Sequence, residues 1–298
     1  MKLRCEKEKL ILGLNNVSRT SVGRTTTPIL EGILITLKNN EVILTTNDLE
    51  IGMECILKDC DIIEEGKVVV DCRMFGDIVR KLPNADITIS VTENNLLLIE
   101  CEGSKYKLST MDADEFPTLP TINVEKTISL PQKVLKDMVK KTSFAVSLEE
   151  NRPIFTGCLL EVKESVLHIV AVDGFRLALR KTPVFTDSQD FSAIVPGKYL
   201  NEVSKNLLDI DEEIKIGISK NQALFEVSNC KIVTRLLEGE FLSYNNVIPK
   251  DKETRIKINK SALQGAIERA AIFSISAGNK CRNHLQNLRI NSIIMWIQ

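Results

Sequence analysis

The chain carries one pattern twice, 125 residues apart, and this duplication restricts its fold more than any other feature. Pro28 to Ile35 (PILEGILI) returns as Pro153 to Leu160 (PIFTGCLL). At the same spacing Asp48 meets Asp173, Phe75 meets Leu200, Ile78 meets Val203, Leu82 meets Leu207, and Glu115-Phe116 meets Glu240-Phe241. The spacing reads as gapless. A period of this length is a duplicated domain, since solenoid units run to about 20–50 residues. A third copy opens at a spacing of 128, where Leu135, Val139 and Phe144 align with Leu263, Ile267 and Ile272. Two complete units and a fragment are expected, with domains at 1–122, 127–250 and 254–298.

Each unit reads as α+β with antiparallel sheet. In the second, Thr127–Leu130 is a short strand and Pro131 opens a helix, where its missing N–H costs nothing. Val134, Leu135, Met138 and Val139 then form one apolar stripe through 132–142, with Lys133, Lys136, Lys140 and Lys141 around it. Strands are expected at Phe155–Val162, Val166–Val172 and Phe175–Lys181, the last two joined by the turn pair Asp173-Gly174. A second helix at 198–207 and strands at 214–219, 223–228 and 231–236 complete it. The first unit repeats the order: a helix near 6–18, strands through 33–53, a helix at 73–82 and strands through 87–108. That order is of an α+β fold, tandem domains with two helices packed on antiparallel sheets in each.

Composition removes several classes. With 43% hydrophobic and 27% charged residues the chain has ordinary globular makeup, and no run approaches the apolar length of a membrane span. The N-terminus lacks the apolar core of a signal peptide, so a cytoplasmic location and no membrane partner are expected. The eight cysteines are scattered without a CxxC pair and read as small buried hydrophobes in a reducing compartment. His168 and His284, the two histidines, have no companions at ligand spacing; no metal and no cofactor are expected.

The net charge of −1 hides an uneven distribution. Summed over 6–19, 73–82, 132–142, 198–207 and 260–270, the five expected helices carry +1, +2, +3, +1 and +1, or +8 together, which leaves −9 for the rest. If they share one face, that face is basic and suits a polyanion held by its phosphates. There is no helix-turn-helix, zinc finger or aromatic stacking cluster for reading bases.

Specific words then add to this pattern: Gly23-Arg24 with Thr27-Pro28-Ile29-Leu30, Thr46 to Glu50, Arg73 to Pro83, Glu115-Phe116-Pro117, Val172 to Ala178, Val195 to Lys198, Leu237 to Phe241 and Tyr244 to Pro249. In these the chain resembles the family of bacterial DNA polymerase III beta subunits, the sliding clamps, collinearly from Met1 to about Ser274. The resemblance implies three similar domains per subunit and a head-to-tail homodimer ringing double-stranded DNA without regard to sequence. It implies phosphate contacts by Arg24, Arg73, Arg80, Arg152 and Lys198. It also implies a pocket on the second domain for linear peptides of the polymerase III alpha subunit and the clamp loader, built by Phe155, Val172, Gly174, Phe175, Arg176, Leu177, Leu242 and Val247. Leu108, Ile272 and Phe273 match the subunit interface. Where the family often has a Gln and a Tyr pair, the loop at 149–154 has Glu149, Pro153 and Ile154.

After Ser274 the likeness fades, and the chain reads as truncated, with no closed ring expected. Two functions follow. One is a non-catalytic processivity clamp of the DNA polymerase III complex. The other is a peptide-binding module that captures clamp-binding motifs without encircling DNA. An enzyme using Asp48 and Asp173 is disfavoured, because each sits at a tight turn that suits Asp and neither has a nucleophile or metal set beside it.

Overall fold

A computed structural model describes residues 1–20, 26–149, 151–248 and 258–276. Two compact units are formed, Met1–Leu242 and a second that begins at Ser243.

In the first unit the sequence duplication becomes a structural one. The first repeat runs β1 (Lys2–Glu6), α1 (Lys7–Val17), β2 (Gly32–Lys38), β3 (Glu41–Asn47), β4 (Ile51–Leu57), β5 (Asp61–Glu64), β6 (Gly66–Asp71), α2 (Cys72–Lys81), β7 (Asp86–Val91), β8 (Leu96–Cys101) and β9 (Ser104–Met111). The second runs β10 (Lys126–Pro131), α3 (Gln132–Lys140), β11 (Gly157–Lys163), β12 (Val166–Val172), β13 (Leu177–Pro183), β14 (Phe191–Pro196), α4 (Gly197–Asn206), β15 (Glu213–Ile218), β16 (Gln222–Val227) and β17 (Cys230–Arg235). The starts of β2 and β11, β3 and β12, β6 and β14, and α2 and α4 are each 125 residues apart. Burial follows the same code: β2 and β11 share one in–out sequence, as do β3 and β12.

The spacing is not gapless, however. Lys2 pairs with Ser90 in the first repeat, and the matching Thr127 pairs with Gly217, which is 127 residues beyond Ser90. The α4–β15 connection is two residues longer than its α2–β7 counterpart, and the following hairpin loop is one residue shorter. Loops absorb such changes because their backbone is solvated, whereas a one-residue slip inside a strand would turn its apolar set outward.

Thirteen strands form one antiparallel sheet in the order β10-β15-β16-β17-β4-β3-β2-β6-β9-β8-β7-β1-β5, and β13-β12-β11-β14 form a second. The repeats therefore meet inside the long sheet, where β17 pairs with β4 from Cys230↔Cys55 to Thr234↔Ile51. Helices α1 and α2 pack together, as do α3 and α4, over one apolar core shared by both repeats. Its largest fully buried side chains are Phe75 and Phe225. A hydrogen bond links the two helix pairs. From just beyond α1, Arg19 donates to the Lys205 carbonyl in the last turn of α4 at 2.8 Å, which satisfies an orphan helix carbonyl with a cation.

Three expectations need correction. Phe155 lies in a 3-10 helix (Pro153–Thr156), because proline at its start fixes a turn before β11 begins. Phe175 lies in the β12–β13 turn, and β13 starts only at Leu177. The cysteines also pair. Cys55 and Cys230 are disulfide-bonded, and the Cys5 and Cys60 sulfurs are 2.8 Å apart. The Cys5 thiol's hydrogen bond holds Cys60 below the ordinary thiol range, against burial, and the same interaction raises Cys5. Neither pair has a telling spacing in sequence; strand register brings the first together.

In the second unit α5 (Tyr244–Val247) is a single turn with Tyr244 buried, and α6 spans Lys260–Ser276. It starts 128 residues after α3, as the third copy predicts, but extends beyond the expected 260–270. Ile267 and Ile272 are exposed on α6.

Candidate DNA-facing helices and peptide pocket

The cations of the helix row fall on equivalent places in the two repeats. Arg73 is the second residue of α2, and Lys198 the second of α4. Both are exposed. Near the helix ends Arg80 lies 3.3 Å from Asp77, and its counterpart Lys205 lies 2.7 Å from Glu202, each an i,i+3 pair. Lys205 is not among the residues expected from sequence; its signal is the 125-residue offset from Arg80. Asp71 caps α2 by accepting from the Met74 N–H at 2.6 Å, which fixes the first turn that carries Arg73. The Lys198 ammonium stands 5.2 Å from the centre of the Tyr199 ring. Burial, with the charges of Asp48 and Glu50, pushes the Tyr199 phenol up to about 12, so it stays neutral beside that cation. Arg152 is exposed and precedes the 3-10 helix of the second repeat. Arg24 lies outside the described residues.

The peptide positions of the first unit gather at one end of the four-stranded sheet. Val172 is buried and pairs with Leu177 across β12 and β13. Between them the Asp173 carboxylate accepts from the Phe175 N–H at 3.0 Å, the Arg176 N–H at 3.1 Å and Arg176 Nε at 2.7 Å. Burial pushes its pKa up, but these bonds and the Arg176 charge outweigh that and hold the carboxyl below its ordinary value. Gly174 takes φ +87°, in the left-handed region, and Phe175 is 95% exposed at the turn's tip. In the first repeat Leu49 holds the matching place at φ 74°, with Asp48 accepting from the Glu50 and Ile51 N–H groups.

Around the turn lie apolar rings. The Arg176 guanidinium is 5.5 Å from the centre of Phe144, an exposed ring three residues before Ser147. Ser147 N–H donates to the Phe155 carbonyl at 2.7 Å, and Phe155 meets Phe241 edge-on at 5.9 Å. Leu242 follows, half-buried. Phe144 and Phe241 are site residues that sequence reasoning missed, since a lone aromatic in sequence gives no sign of which ring it will meet. Val247 belongs to the second unit, where it is exposed. Exposed apolar rings beside one guanidinium suit short peptides with hydrophobic side chains. A separate cleft of about 350 Å³, lined in part by Lys133, Asp137, Arg180 and Asp209, lies between α3 and β13.

Leu108 is a core residue, 6% exposed, so its side chain packs within the chain and does not face outward. On the same strand Lys105, Tyr106, Lys107 and Ser109 are the exposed residues. Alternation on β9 puts Lys105 and Lys107 on the face opposite Leu108, while Tyr106 shares the face of Leu108 and is exposed nearer the start of the strand. Ile272 and Phe273 both lie on α6. No described helix is long and apolar enough to cross a membrane. Among the described residues no three potential metal ligands come together.

Duplicated α+β units that share a sheet and carry net-basic helices define the class: a tandem-domain protein with a surface suited to a polyanion. Residues 1–120 match the N-terminal domain of the DNA polymerase III beta subunit, and 129–242 match its central domain. The beta sliding clamp of Staphylococcus epidermidis is 38% identical over 286 residues, covering 94% of this chain and 76% of the relative. That of Halalkalibacterium halodurans is 35% identical over 288 residues, 93% of this chain and 76% of the relative. The crystal structure of the sliding clamp from Bacillus subtilis superposes with a TM-score of 0.88 at 35% identity, over 92% of this chain and 74% of that one. A sliding clamp from Pseudomonas aeruginosa bound to griselimycin gives 0.87 at 30% identity, over 91% and 74%. The chain belongs to the DNA polymerase III beta-subunit family, the sliding clamps, which are non-catalytic processivity factors of DNA replication.

Proposed function

We propose that this chain holds duplex DNA by its phosphates through the helix row and tethers polymerase III partners through the turn of its second repeat. The observation that carries the reading is the recurrence of exposed cations at equivalent helix positions, Arg73 with Lys198 and Arg80 with Lys205. A surface that tracks a uniform polyanion needs charge at regular places and no base-reading groups. Arg24 and Arg152 extend this set. Linear peptides of the polymerase alpha subunit and the clamp loader dock at Phe155, Val172, Gly174, Phe175, Arg176, Leu177 and Leu242, with Phe144 and Phe241 as added rings. The domains are 1–122, 127–250 and 254–298, α6 with Ile272 and Phe273 faces a second subunit, and the protein works in the cytoplasm.

The test is binding to two duplexes of unrelated sequence across a salt series. Equal affinities that fall together as salt rises are expected, with Arg73→Ala/Lys198→Ala weakening both alike. A preference for one duplex, or affinity indifferent to salt, contradicts the reading.

A further inference from the structure

The two repeats meet along a single strand pair, β17 against β4, and two sulfurs sit in that seam. Cys230 and Cys55 are direct partners in the register, with Cα atoms 4.2 Å apart and their sulfurs bonded across 175 residues of sequence. Directly opposed residues of an antiparallel pair that do not exchange backbone hydrogen bonds lie about 4.5 Å apart and send side chains to one face, where two cysteines meet without backbone movement. A polar group is aimed at them: Asn16, on α1, donates Nδ2–H to Cys230 Sγ at 3.3 Å and reaches Cys55 Sγ at 3.7 Å. Both cysteines otherwise lie in the apolar core with Met53 and Ile232. Cys230 is the more accessible, at 5% exposure against 0% for Cys55, and it is also nearer to Asn16.

We propose that Cys55 and Cys230 are a reversible redox modification site that staples the first repeat to the second. In the reduced chain the Asn16 amide favours the Cys230 thiolate, which attacks hydrogen peroxide. A sulfur–oxygen bond forms, the oxygen–oxygen bond breaks, and the departing hydroxide takes up the proton lost by the thiol. Cys55 then attacks the sulfenic sulfur. The sulfur–sulfur bond forms, the sulfur–oxygen bond breaks, and a second water leaves with the Cys55 proton. Two thiols and one peroxide become one disulfide and two waters, the sulfurs giving up the two electrons that the peroxide gains. Excess glutathione reverses the bridge by thiol–disulfide exchange and ends as its own disulfide. Closed, the bridge holds the β17–β4 pairing on which the continuity of the long sheet depends, and it restricts the unfolded chain over a long loop.

The full chain is reduced, exposed to hydrogen peroxide, unfolded in guanidinium chloride and alkylated at free thiols with iodoacetamide, then reduced again and labelled with N-ethylmaleimide. Peptide mapping is expected to find the second label on Cys55 and Cys230 together, and the first label on both when glutathione precedes alkylation. The oxidised chain melts higher by roughly 5 °C or more, and Cys230→Ser abolishes that difference. Asn16→Ala moves the pH profile of oxidation to higher pH, with the melting temperature of the reduced chain as the control for folding. First label on both cysteines after peroxide, pairing of either with another cysteine, or a bridge that glutathione leaves intact overturns the proposal. An unmoved pH profile in Asn16→Ala removes Asn16 from it.

Discussion

Arg73 and Lys198 occupy one place in two copies of a fold, the exposed second position of α2 and of α4, 125 residues apart. Arg80 and Lys205 repeat the relationship at the other end of the same helices, each with an acidic neighbour one turn back. The pairs differ in how free their charge is. Removing Arg73 and Lys198 is predicted to lower the slope of log affinity against log salt for duplex DNA by about 0.9 for each phosphate that goes unneutralised. Removing Arg80 and Lys205 lowers it less, because Asp77 and Glu202 already offset those cations. Salt titrations of the two double variants measure the difference, and equal slopes contradict it.

Leu49 and Gly174 hold the same left-handed turn position, at φ 74° and +87°. A side chain there costs about 1–2 kcal/mol, of which glycine's extra unfolded-state freedom returns about 0.5–1. Leu49 is half exposed, so little burial is lost with it. Leu49→Gly is predicted to raise stability by up to about 1 kcal/mol and Gly174→Leu to lower it by at least as much, read from urea midpoints. The opposite signs refute the turn assignment.

Phe75 and Leu200 are equivalent core residues, both fully buried. Truncation to alanine is predicted to cost about 3–5 kcal/mol at Phe75 and about 2–5 at Leu200, through the apolar surface no longer buried and the cavity left behind. Chemical denaturation gives both values; a loss under about 1 kcal/mol at either site contradicts the shared core.

The Asp173 carboxyl is held below its unfolded value of 3.8 in the folded chain. Its contribution to stability is therefore full above that pH and is lost as pH falls through the lower folded value. Urea midpoints measured from pH 7 down to pH 2 are predicted to fall less steeply below pH 4 in Asp173→Asn than in the native chain. Parallel acid limbs contradict the turn's hydrogen bonding.

Much of this is legible in the sequence, for identifiable reasons. The duplication, the four helices of the first unit and the strands β11, β12 and β15 to β17, of which β16 alternates in burial throughout, follow from local apolar patterning. Spacing changes after α2 and α4 are invisible to it because loops carry them without disturbing the apolar pattern. Pro153 and the Asp173-Gly174 pair mark turns, yet strands are expected too early beside them because Phe155 and Phe175 are good strand formers. The burial of Leu108 within its own chain is not legible without its strand register. Partners far apart in sequence, Cys55 with Cys230 and Phe155 with Phe241, have no local signature at all. Lys205 does have one, in its offset from Arg80.

The central claim is that the β12–β13 turn of the second repeat, and not its twin in the first, receives polymerase partners. Its most direct test is fluorescence anisotropy of a labelled peptide carrying the clamp-binding motif of a polymerase III alpha subunit, titrated with the full chain. Saturable binding is predicted, weakened about tenfold or more by Arg176→Ala, since a charged hydrogen-bonding group at such a rim contributes about 1.5–3 kcal/mol. Leu49→Gly, at the twin turn, leaves it unchanged. No binding by the native chain, or equal binding by Arg176→Ala, would contradict the account.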